Sequence, residues 1–273
     1  MEVSQAGLSA VKHVIAIASG KGGVGKSTTA VNLALALAFN GNRVGIVDAD
    51  IYGPSIPTML GATLDQRPKI VDKKFFQPIE RLGLYSMSIG YLMTKKTPVV
   101  WRGPMASGAL IQMLTQTVWG ELDFLVVDMP PGTGDIQLTL AQKSQLSGSI
   151  IITTPQEIAL LDARRAIEMF KKVNIPVLGV IENMATHICT KCGHHEHIFG
   201  KNGAEMVASE YKSEVLGALP LSVIIRQHID EGKPCVYLDP NSHISDIFIK
   251  IAMKITSILA DTEPLSHPEI IVE

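Results

Sequence analysis

The chain has 273 residues, of which 46% are hydrophobic and 18% are charged, and its formal net charge is −2. This balance gives no basic footprint for DNA or RNA, and no apolar run of about 18 residues is present to span a membrane. The N-terminal stretch has neither the apolar core of a secretory signal nor an arginine-rich transit pattern, so we expect a cytoplasmic protein without nucleic-acid or membrane partners.

Continuous apolar runs recur along the chain, and each is followed by a segment that is compatible with a helix. Clear runs begin at His13, Arg43, Leu122, Ser149 and Leu178, and weaker ones begin at Gly83 and Val215. Continuous rather than alternating apolar runs are typical of parallel strands covered on both faces. The predicted helices are Lys26–Phe39, Met105–Val118, Ile136–Ser144, Ile158–Lys172, Gly203–Tyr211 and Ser245–Leu259.

This alternation predicts a doubly wound α/β fold, with a mostly parallel sheet and helices on both faces. We assign residues 13–260 to a single domain, residues 1–12 to an N-terminal extension and residues 261–273 to a C-terminal tail. The polar segment that begins at Leu64 is predicted to be a surface excursion.

A glycine-rich loop between the first predicted strand and helix fits the pattern GxxxxGK[ST] of phosphate-binding loops. Its backbone N–H groups and the helix N-terminus favour phosphate, which predicts a P-loop NTPase. We expect Lys26 to contact the β- and γ-phosphates of ATP and the Ser27 hydroxyl to ligate Mg²⁺. The residues of the loop predicted to bind ATP are Gly20, Lys21, Gly22, Gly23, Val24, Gly25, Lys26, Ser27 and Thr28.

Lys21, directly after the first glycine, is a second lysine that a phosphate loop does not require. The form KGGxGK[ST] resembles the variant loop of the class that includes MinD, ParA, ArsA and the nitrogenase iron protein. In that class the extra lysine reaches across a dimer and stabilises transition-state charge at the partner's ATP. The resemblance implies a homodimer with a catalytic Lys21, and the alternative is a solvated lysine at a loop tip.

Acidic residues follow two further apolar strands, where ligands of open α/β sheets bind. Asp48 and Asp50 follow one strand, and Asp128 ends another, shortly before a glycine loop at Gly132. By resemblance to the same class, Asp50 orients the attacking water and contacts the Mg²⁺ shell, Asp128 is the Walker B acid, and the Gly132 region senses the γ-phosphate. Helix capping is the alternative role, most of all for Asp48 and Asp135.

Asn183 follows the strand that begins at Leu178, and this is where the same class uses an asparagine for adenine. An amide side chain can both donate to and accept from an adenine edge. Pro220 and Leu221 are the predicted second wall of the base site. A turn asparagine without a ligand is the alternative.

Cys189 and Cys192 form a CxxC pair in a polar loop near residues 185–199, whereas Cys235 stands alone. Three cysteines are too few for a disulfide framework, and a redox CxxC normally lies where a strand enters a helix. Zinc is chemically possible with two of the nearby histidines, although the spacings are short for a zinc finger. Iron–sulfur sites commonly require four thiolates, and a symmetric dimer offers four. An unliganded loop is the last alternative. The histidines are His187, His194, His195 and His197.

The chain resembles the Mrp/ApbC family of ATP-dependent iron–sulfur cluster carriers from about Ile15 to Pro234. The motifs that select this family are the string DADIYGPS and the CxxC before IFG. The resemblance implies a slow ATPase and homodimer that holds a bridging [4Fe–4S] cluster and exchanges it with scaffold proteins and apo-proteins. Some family members carry an extra N-terminal domain or an N-terminal cysteine cluster, and from the short stretch before the first strand we expect neither here.

Two other functions share the same phosphate loop. A MinD- or ParA-like positioning ATPase needs a basic amphipathic C-terminal helix or a basic DNA patch, and the C-terminal sequence here is acidic and interrupted by proline. An electron donor like the nitrogenase iron protein also bridges a cluster across a dimer, but its cysteines are not spaced as CxxC.

Overall fold

The computed structural model describes residues 7–63, 65–92 and 103–260. The predicted C-terminal tail, the first half of the predicted N-terminal extension and Leu64, the start of the polar excursion, lie outside the described residues. Residues 7–10, at the end of that extension, precede the first strand and are held to the domain by the Gly7 N–H, which donates to the Thr117 carbonyl at 2.8 Å.

The described residues form strands at most of the positions where the apolar runs predicted them. The strands are β1 (Val11–Ala18), β2 (Val44–Asp48), β3 (Lys69–Val71), β4 (Phe75–Gln77), β5 (Ile79–Arg81), β6 (Leu84–Ser88), β7 (Leu122–Asp128), β8 (Gly148–Thr153), β9 (Val177–Glu182), β10 (His187–Ile188), β11 (His195–Glu196) and β12 (Val215–Ala218).

The helices alternate with these strands in the way that a doubly wound fold requires. They are α1 (Lys26–Phe39), α2 (Ile56–Met59), α3 (Ile89–Leu92), α4 (Gly103–Thr115), α5 (Asp135–Lys143), α6 (Glu157–Lys172), α7 (Gly203–Tyr211), α8 (Val223–Asp230), α9 (Cys235–Leu238) and α10 (His243–Ala260). None of the helices in the described ranges has the length and apolar character needed to cross a bilayer.

Eight strands form one sheet in the order β12-β9-β8-β1-β7-β2-β6-β5. All neighbouring pairs are parallel except β5 with β6. One hydrophobic core packs on each face, with α1 and α10 on one side and α4, α5, α6 and α7 on the other. The predicted doubly wound α/β fold is therefore confirmed.

The register of the three central strands places two acids at one edge of the sheet. Asp128 at the end of β7 is paired with Ile17 of β1 and with Asp48 at the end of β2. Because these strands are parallel, the loops that follow them meet at the same edge. The phosphate loop and both acidic segments are thus brought together by the sheet.

The predicted helix over residues 105–118 is the element whose end differs most from the structure. It begins two residues earlier, at Gly103, and ends at Thr115. The next residues pair with the excursion instead, because Phe76 N–H donates to the Gln116 carbonyl and Val118 N–H donates to the Phe76 carbonyl. The excursion forms the β3–β4 hairpin, and the residues that follow it form the antiparallel edge strand β5.

Candidate functional site

The phosphate loop connects β1 to the first turn of α1, as the sequence pattern predicted. Gly25 caps the helix with φ +82°, and a side chain there would collide with Asn183, because an added Cβ would lie 2.1 Å from its Nδ2. Gly20 approaches α6 closely, with an added Cβ 2.0 Å from the Asp162 carbonyl oxygen. Glycine is therefore required at both positions by close contact with a distant part of the chain.

A cavity of about 210 Å³ lies over this loop. It brings together the phosphate-loop residues, the segment after β2 and the segment after β7. Its lining residues are Ser19, Gly22, Gly23, Gly25, Lys26, Ser27, Thr28, Asp50, Ser55, Met59 and Pro131. Backbone N–H groups of a glycine loop and the start of a 14-residue helix make this cavity suitable for phosphate.

Lys26 and Asp128 form a buried ion pair beneath the cavity, with Nζ 2.5 Å from Oδ1. Burial raises the pKa of Asp128, and the Lys26 ammonium and the Ser27 hydroxyl act in the opposite direction. The second carboxylate oxygen, Oδ2, is buried without a hydrogen-bond partner in the structure. An unsatisfied buried carboxylate oxygen beside a serine hydroxyl fits a hard cation such as Mg²⁺, which prefers oxygen ligands.

Asp48 anchors the segment that carries Asp50. It is fully buried, and its Oδ2 accepts hydrogen bonds from the N–H groups of Ser55 and Ile56 and from the Ser88 hydroxyl at 3.0–3.1 Å. Burial, followed by the nearby Asp128 carboxylate, raises the pKa of Asp48 to about 7. Ser55 is the N-cap residue of α2, and Ile56 is the first residue of that helix. The hydrogen bonds of Asp48 are therefore those expected of a carboxylate that caps a helix.

Asp50 itself faces the phosphate cavity and is partly exposed. Its N–H donates to Asp48 Oδ1 at 3.2 Å, and its own Oδ1 accepts from the Gly53 N–H at 3.3 Å. These contacts hold the Asp50 carboxylate beside Lys26 and Ser27 without burying it, so it can reach a water or cation in the cavity.

The loop after β7 contacts the phosphate loop directly. Gly132 has φ +98°, and its N–H donates to the Ser19 carbonyl at 2.9 Å. Gln137, which sequence reasoning missed, donates through Nε2 to the Pro131 carbonyl at 2.5 Å. Nothing local in the sequence marks a glutamine at the start of a helix as a residue that holds a neighbouring loop.

Asp135 is exposed in the first turn of α5, where a carboxylate interacts favourably with the helix dipole.

Lys21 is partly exposed at the edge of the loop. Its carbonyl accepts from the Ser19 hydroxyl at 2.8 Å, whereas residues 7–63, 65–92 and 103–260 provide no hydrogen-bond or ion-pair partner for its ammonium. Nearby α6, against which Gly20 packs, exposes the apolar side chains of Ile158 and Leu161. A lysine without a partner among the described residues, next to a residue that packs on a helix with exposed apolar side chains, suits a surface that another protein chain covers.

Asn183 does not line the phosphate cavity but contacts the loop from behind. Its Nδ2 donates to the Val24 carbonyl at 2.8 Å, and its Oδ1 accepts from the Met184 N–H at 2.9 Å. Pro220 lines a separate cavity of about 180 Å³, and Leu221 forms an isolated parallel β-bridge with His187. The adenine-binding role of Asn183, Pro220 and Leu221 therefore stays a prediction.

The cysteine pair lies at the tip of a short hairpin made by β10 and β11, which we call the cysteine hairpin (residues 187–196). The Cys189 N–H donates to the His194 carbonyl, and the Gly193 N–H donates to the Cys189 carbonyl, each at 2.9 Å. Backbone N–H groups of Cys192 and Lys191 donate to the Cys189 sulfur and lower its pKa. Such N–H···S bonds stabilise a thiolate, the form of cysteine that binds metal.

Two of the four histidines near the pair have other partners. The Nδ1 of His197 lies 2.8 Å from the Ala185 carbonyl, and that of His187 lies 3.4 Å from the Leu221 carbonyl. Within the part of the chain that the structure describes, no three His, Cys, Asp or Glu side chains converge as a metal site. Among the described residues, the cysteine pair therefore has no third or fourth ligand with which to complete a zinc site, and its role in an iron–sulfur site stays a prediction.

The buried Cys235 provides a first testable contrast with the hairpin. Burial raises its pKa to about 11, and only 1% of the residue is exposed. With iodoacetamide at about pH 8, we expect Cys189 and Cys192 to be alkylated at least ~100-fold faster than Cys235, because the thiolate is the reactive form. Peptide mass spectrometry over time measures the three rates, and urea-unfolded protein is the control in which they become similar. Equal rates in folded protein would contradict the buried position of Cys235.

Comparisons with known proteins show which family the chain is similar to. The ParA family model described as NUBPL iron-transfer P-loop NTPase matches residues 10–256. The iron-sulfur cluster carrier protein of Pseudomonas fragi is 62% identical over 247 residues, which are 90% of this chain and 86% of that protein. The protein of the same name from Escherichia coli K12 is 56% identical over 254 residues, which are 93% of this chain and 69% of that protein.

A solved structure shows the same fold with a nucleotide bound. It is a nucleotide-binding protein from Archaeoglobus fulgidus in complex with ADP, with cobalt also found. It is 35% identical to this chain, with a TM-score of 0.74 over 88% of this chain and 92% of the other.

Proposed function

The chain belongs to the family of NUBPL-type iron-transfer P-loop NTPases, and from this we propose that it is an ATP-dependent carrier of iron–sulfur clusters. Two copies would hold one [4Fe–4S] cluster as cargo between them and pass it to apo-proteins, after receiving it from scaffold proteins. The relatives that are 62% and 56% identical are named iron-sulfur cluster carrier proteins, which favours this function over a positioning ATPase or an electron donor.

The observation that carries the proposal is the cysteine hairpin. It presents two thiols at an exposed tip, with a lowered pKa at Cys189 and no third ligand in the described parts of the chain. A half-site of two thiolates cannot enclose a four-iron cluster, but two of them can. A cluster held at an exposed tip between two subunits is also accessible to an acceptor, as a carrier requires.

We further propose that ATP binds over the phosphate loop and is hydrolysed there. Lys26 would contact the β- and γ-phosphates, and the backbone N–H groups of the loop would surround them. Ser27, Asp128 and Asp50 would hold Mg²⁺, which supplies positive charge to the phosphates. Asp50, held in the cavity by Asp48, would orient the attacking water.

The position of Lys21 supports a homodimer in which each subunit completes the other's site. Its ammonium has no partner among the described residues, and the preceding Gly20 packs against α6, which exposes the apolar side chains of Ile158 and Leu161. Gly200, just after the cysteine hairpin, approaches Pro155 at the start of the same helix. The loop lysine, α6 and the base of the hairpin therefore adjoin, so one two-fold interface could use them all.

Transfer of the cluster is the direct test of the proposed function. Protein reconstituted anaerobically with iron and sulfide should show broad thiolate-to-iron absorption with about four irons per dimer. Mixed with an apo-enzyme that needs a [4Fe–4S] cluster, it should lose this absorption while the acceptor gains activity. A cluster that stays bound and only cycles its redox state would favour the electron donor. Protein that binds no iron would refute the proposal.

Lys21 gives a prediction about the dimer. Lys21→Ala should bind ATP but hydrolyse it poorly, because the lysine acts on the transition state of the partner's ATP. Mixing Lys21→Ala with Lys26→Ala should restore activity, since the Lys21→Ala subunit keeps its own Lys26 and receives Lys21 from its partner. Random pairing makes half of the dimers mixed, each with one complete site, so about a quarter of wild-type turnover is expected.

The control for this experiment is each variant measured alone under the same conditions, where turnover should stay low. If Lys21 acts on the ATP of its own subunit, no mixed dimer has a site with both lysines. Absence of any recovery in mixtures shown to contain heterodimers would therefore rule out the cross-subunit role.

A further inference from the structure

A carrier driven by ATP needs a connection through which the state of the nucleotide site affects the cysteine hairpin. The hairpin belongs to an exposed excursion, residues 184–202, which leaves the sheet after β9 and returns at α7. The excursion contacts residues 219–221 near its start and Pro155 near its exit. Its two ends also lie beside two adjacent residues, Glu182 and Asn183, and Asn183 reaches the phosphate loop.

Glu182 holds the exit of the excursion. It is the last residue of β9 and only 5% exposed, and its Oε2 accepts from the Ala204 N–H at 2.6 Å. The Gly203 N–H also donates to this carboxylate, and burial raises its pKa. Asn202, the N-cap residue of α7, makes no side-chain capping bond. The carboxylate of Glu182 therefore satisfies free N–H groups of α7 from across the fold.

Asn183, the next residue, holds the phosphate loop. Its Nδ2 donates to the Val24 carbonyl at 2.8 Å, and the adjoining Gly25 fits so closely that a Cβ there would lie 2.1 Å from the same nitrogen. The Val24–Gly25 peptide belongs to the loop whose N–H groups must face the phosphates. A change in its orientation when nucleotide binds must therefore change the contact with Asn183.

We propose that Glu182 is a positioning residue that couples the nucleotide site to the cysteine hairpin. The connection runs from the Val24 carbonyl through the Asn183 side chain to the end of β9, and from the Glu182 carboxylate to the start of α7. This regulation rests on the proposed carrier function, because it acts on iron held by the cysteine pair. Without the Glu182 contact, the hairpin is still present but no longer follows the state of the phosphate loop.

The experiment measures how nucleotide changes iron release. Full-length protein reconstituted with iron and sulfide is exposed to a ferrous chelator, bathophenanthroline disulfonate, with and without Mg²⁺ and a non-hydrolysable ATP analogue. The ratio of the two release rates is the coupling ratio. In the wild type we expect it to differ from unity by about 5-fold or more, the usual lower range of coupling between sites. In Glu182→Ala it should be close to unity, with nucleotide affinity retained.

Three further variants separate coupling from a simple loss of stability. Glu182→Gln keeps an oxygen that can accept from Ala204 and should retain at least half of the effect. Glu182→Asp keeps the charge but is one methylene too short, so it should lose coupling even if Glu182→Ala folds poorly. Glu205→Ala is the matched control, because it removes an exposed carboxylate from the first turn of the same helix. It should behave as the wild type.

Hydrogen–deuterium exchange in iron-free protein gives a second readout that does not depend on the carrier function. The nucleotide analogue should change exchange over residues 185–204 in the wild type and in Glu205→Ala, but not in Glu182→Ala or Glu182→Asp. If wild-type protein binds no iron yet shows this pattern, the carrier function fails and the coupling stands. If the variants respond as the wild type does, or if the wild type does not respond at all, Glu182 has no coupling role.

Discussion

Lys26→Ala is expected to abolish tight ATP binding, with affinity reduced at least ~100-fold. Charge-assisted hydrogen bonds to phosphate contribute ~1.5–3 kcal/mol each, and each ~1.4 kcal/mol is a tenfold change in affinity. Lys26 is also the only lysine that lines the cavity over the phosphate loop within the described residues. Calorimetric titration with Mg²⁺ and ATP measures the effect, and Lys21→Ala, changed in the same loop, should retain binding.

The buried pair with Asp128 adds a second effect that must be separated from the first. Lys26→Ala leaves the Asp128 carboxylate without its cation, and the loss of one partner of a buried ion pair typically costs ~3–5 kcal/mol of stability. The double variant Lys26→Ala/Asp128→Asn removes both charges and should recover much of the thermal stability without recovering ATP binding. Wild-type affinity in well-folded Lys26→Ala would show that the lysine does not contact the phosphates.

Replacing either hairpin cysteine with serine is expected to eliminate cluster binding. The iron content should fall from about four per dimer to near zero, because a cluster of this type needs four thiolates and each chain supplies two. ATP affinity should be nearly unchanged, since Cys189 and Cys192 do not line the phosphate cavity. Iron and sulfide analysis, absorption spectra and ATP titration of the same preparations measure these effects.

Cys235→Ser is the matched control for the cysteine pair. Cys235 is buried and lies outside the cysteine hairpin. Its Sγ is 3.5 Å from the Nδ1 atom of His228. This variant should bind iron and nucleotide as the wild type does. Iron retained by a variant with serine at both Cys189 and Cys192, or a full cluster in monomeric protein, would contradict a shared site. One zinc per dimer that no acceptor removes would instead indicate a structural site.

The sequence by itself determined the elements whose chemistry is local. The phosphate loop could be recognised because its glycines, Lys26 and Ser27 are consecutive, and their spacing follows from the geometry of one strand, one turn and one helix. Continuous apolar runs predicted the parallel sheet for a similar reason, since burial on both faces leaves no alternation. The CxxC pair was equally visible, because Cys189 and Cys192 lie within one tight turn.

Tertiary structure alone decided how these pieces are connected. The contacts of Lys26 with Asp128 and of Asn183 with Val24 span 102 and 159 residues of sequence, and no local pattern specifies them. The capping of α7 by Glu182, rather than by its own N-cap residue, depends on where β9 ends in the sheet. Helix α4 ends earlier than predicted because Gln116 and Val118 form backbone hydrogen bonds with Phe76 of the β3–β4 hairpin. Spacing along the chain encodes the chemistry of a motif, whereas only the packing of strands and helices brings distant donors and acceptors within hydrogen-bond distance.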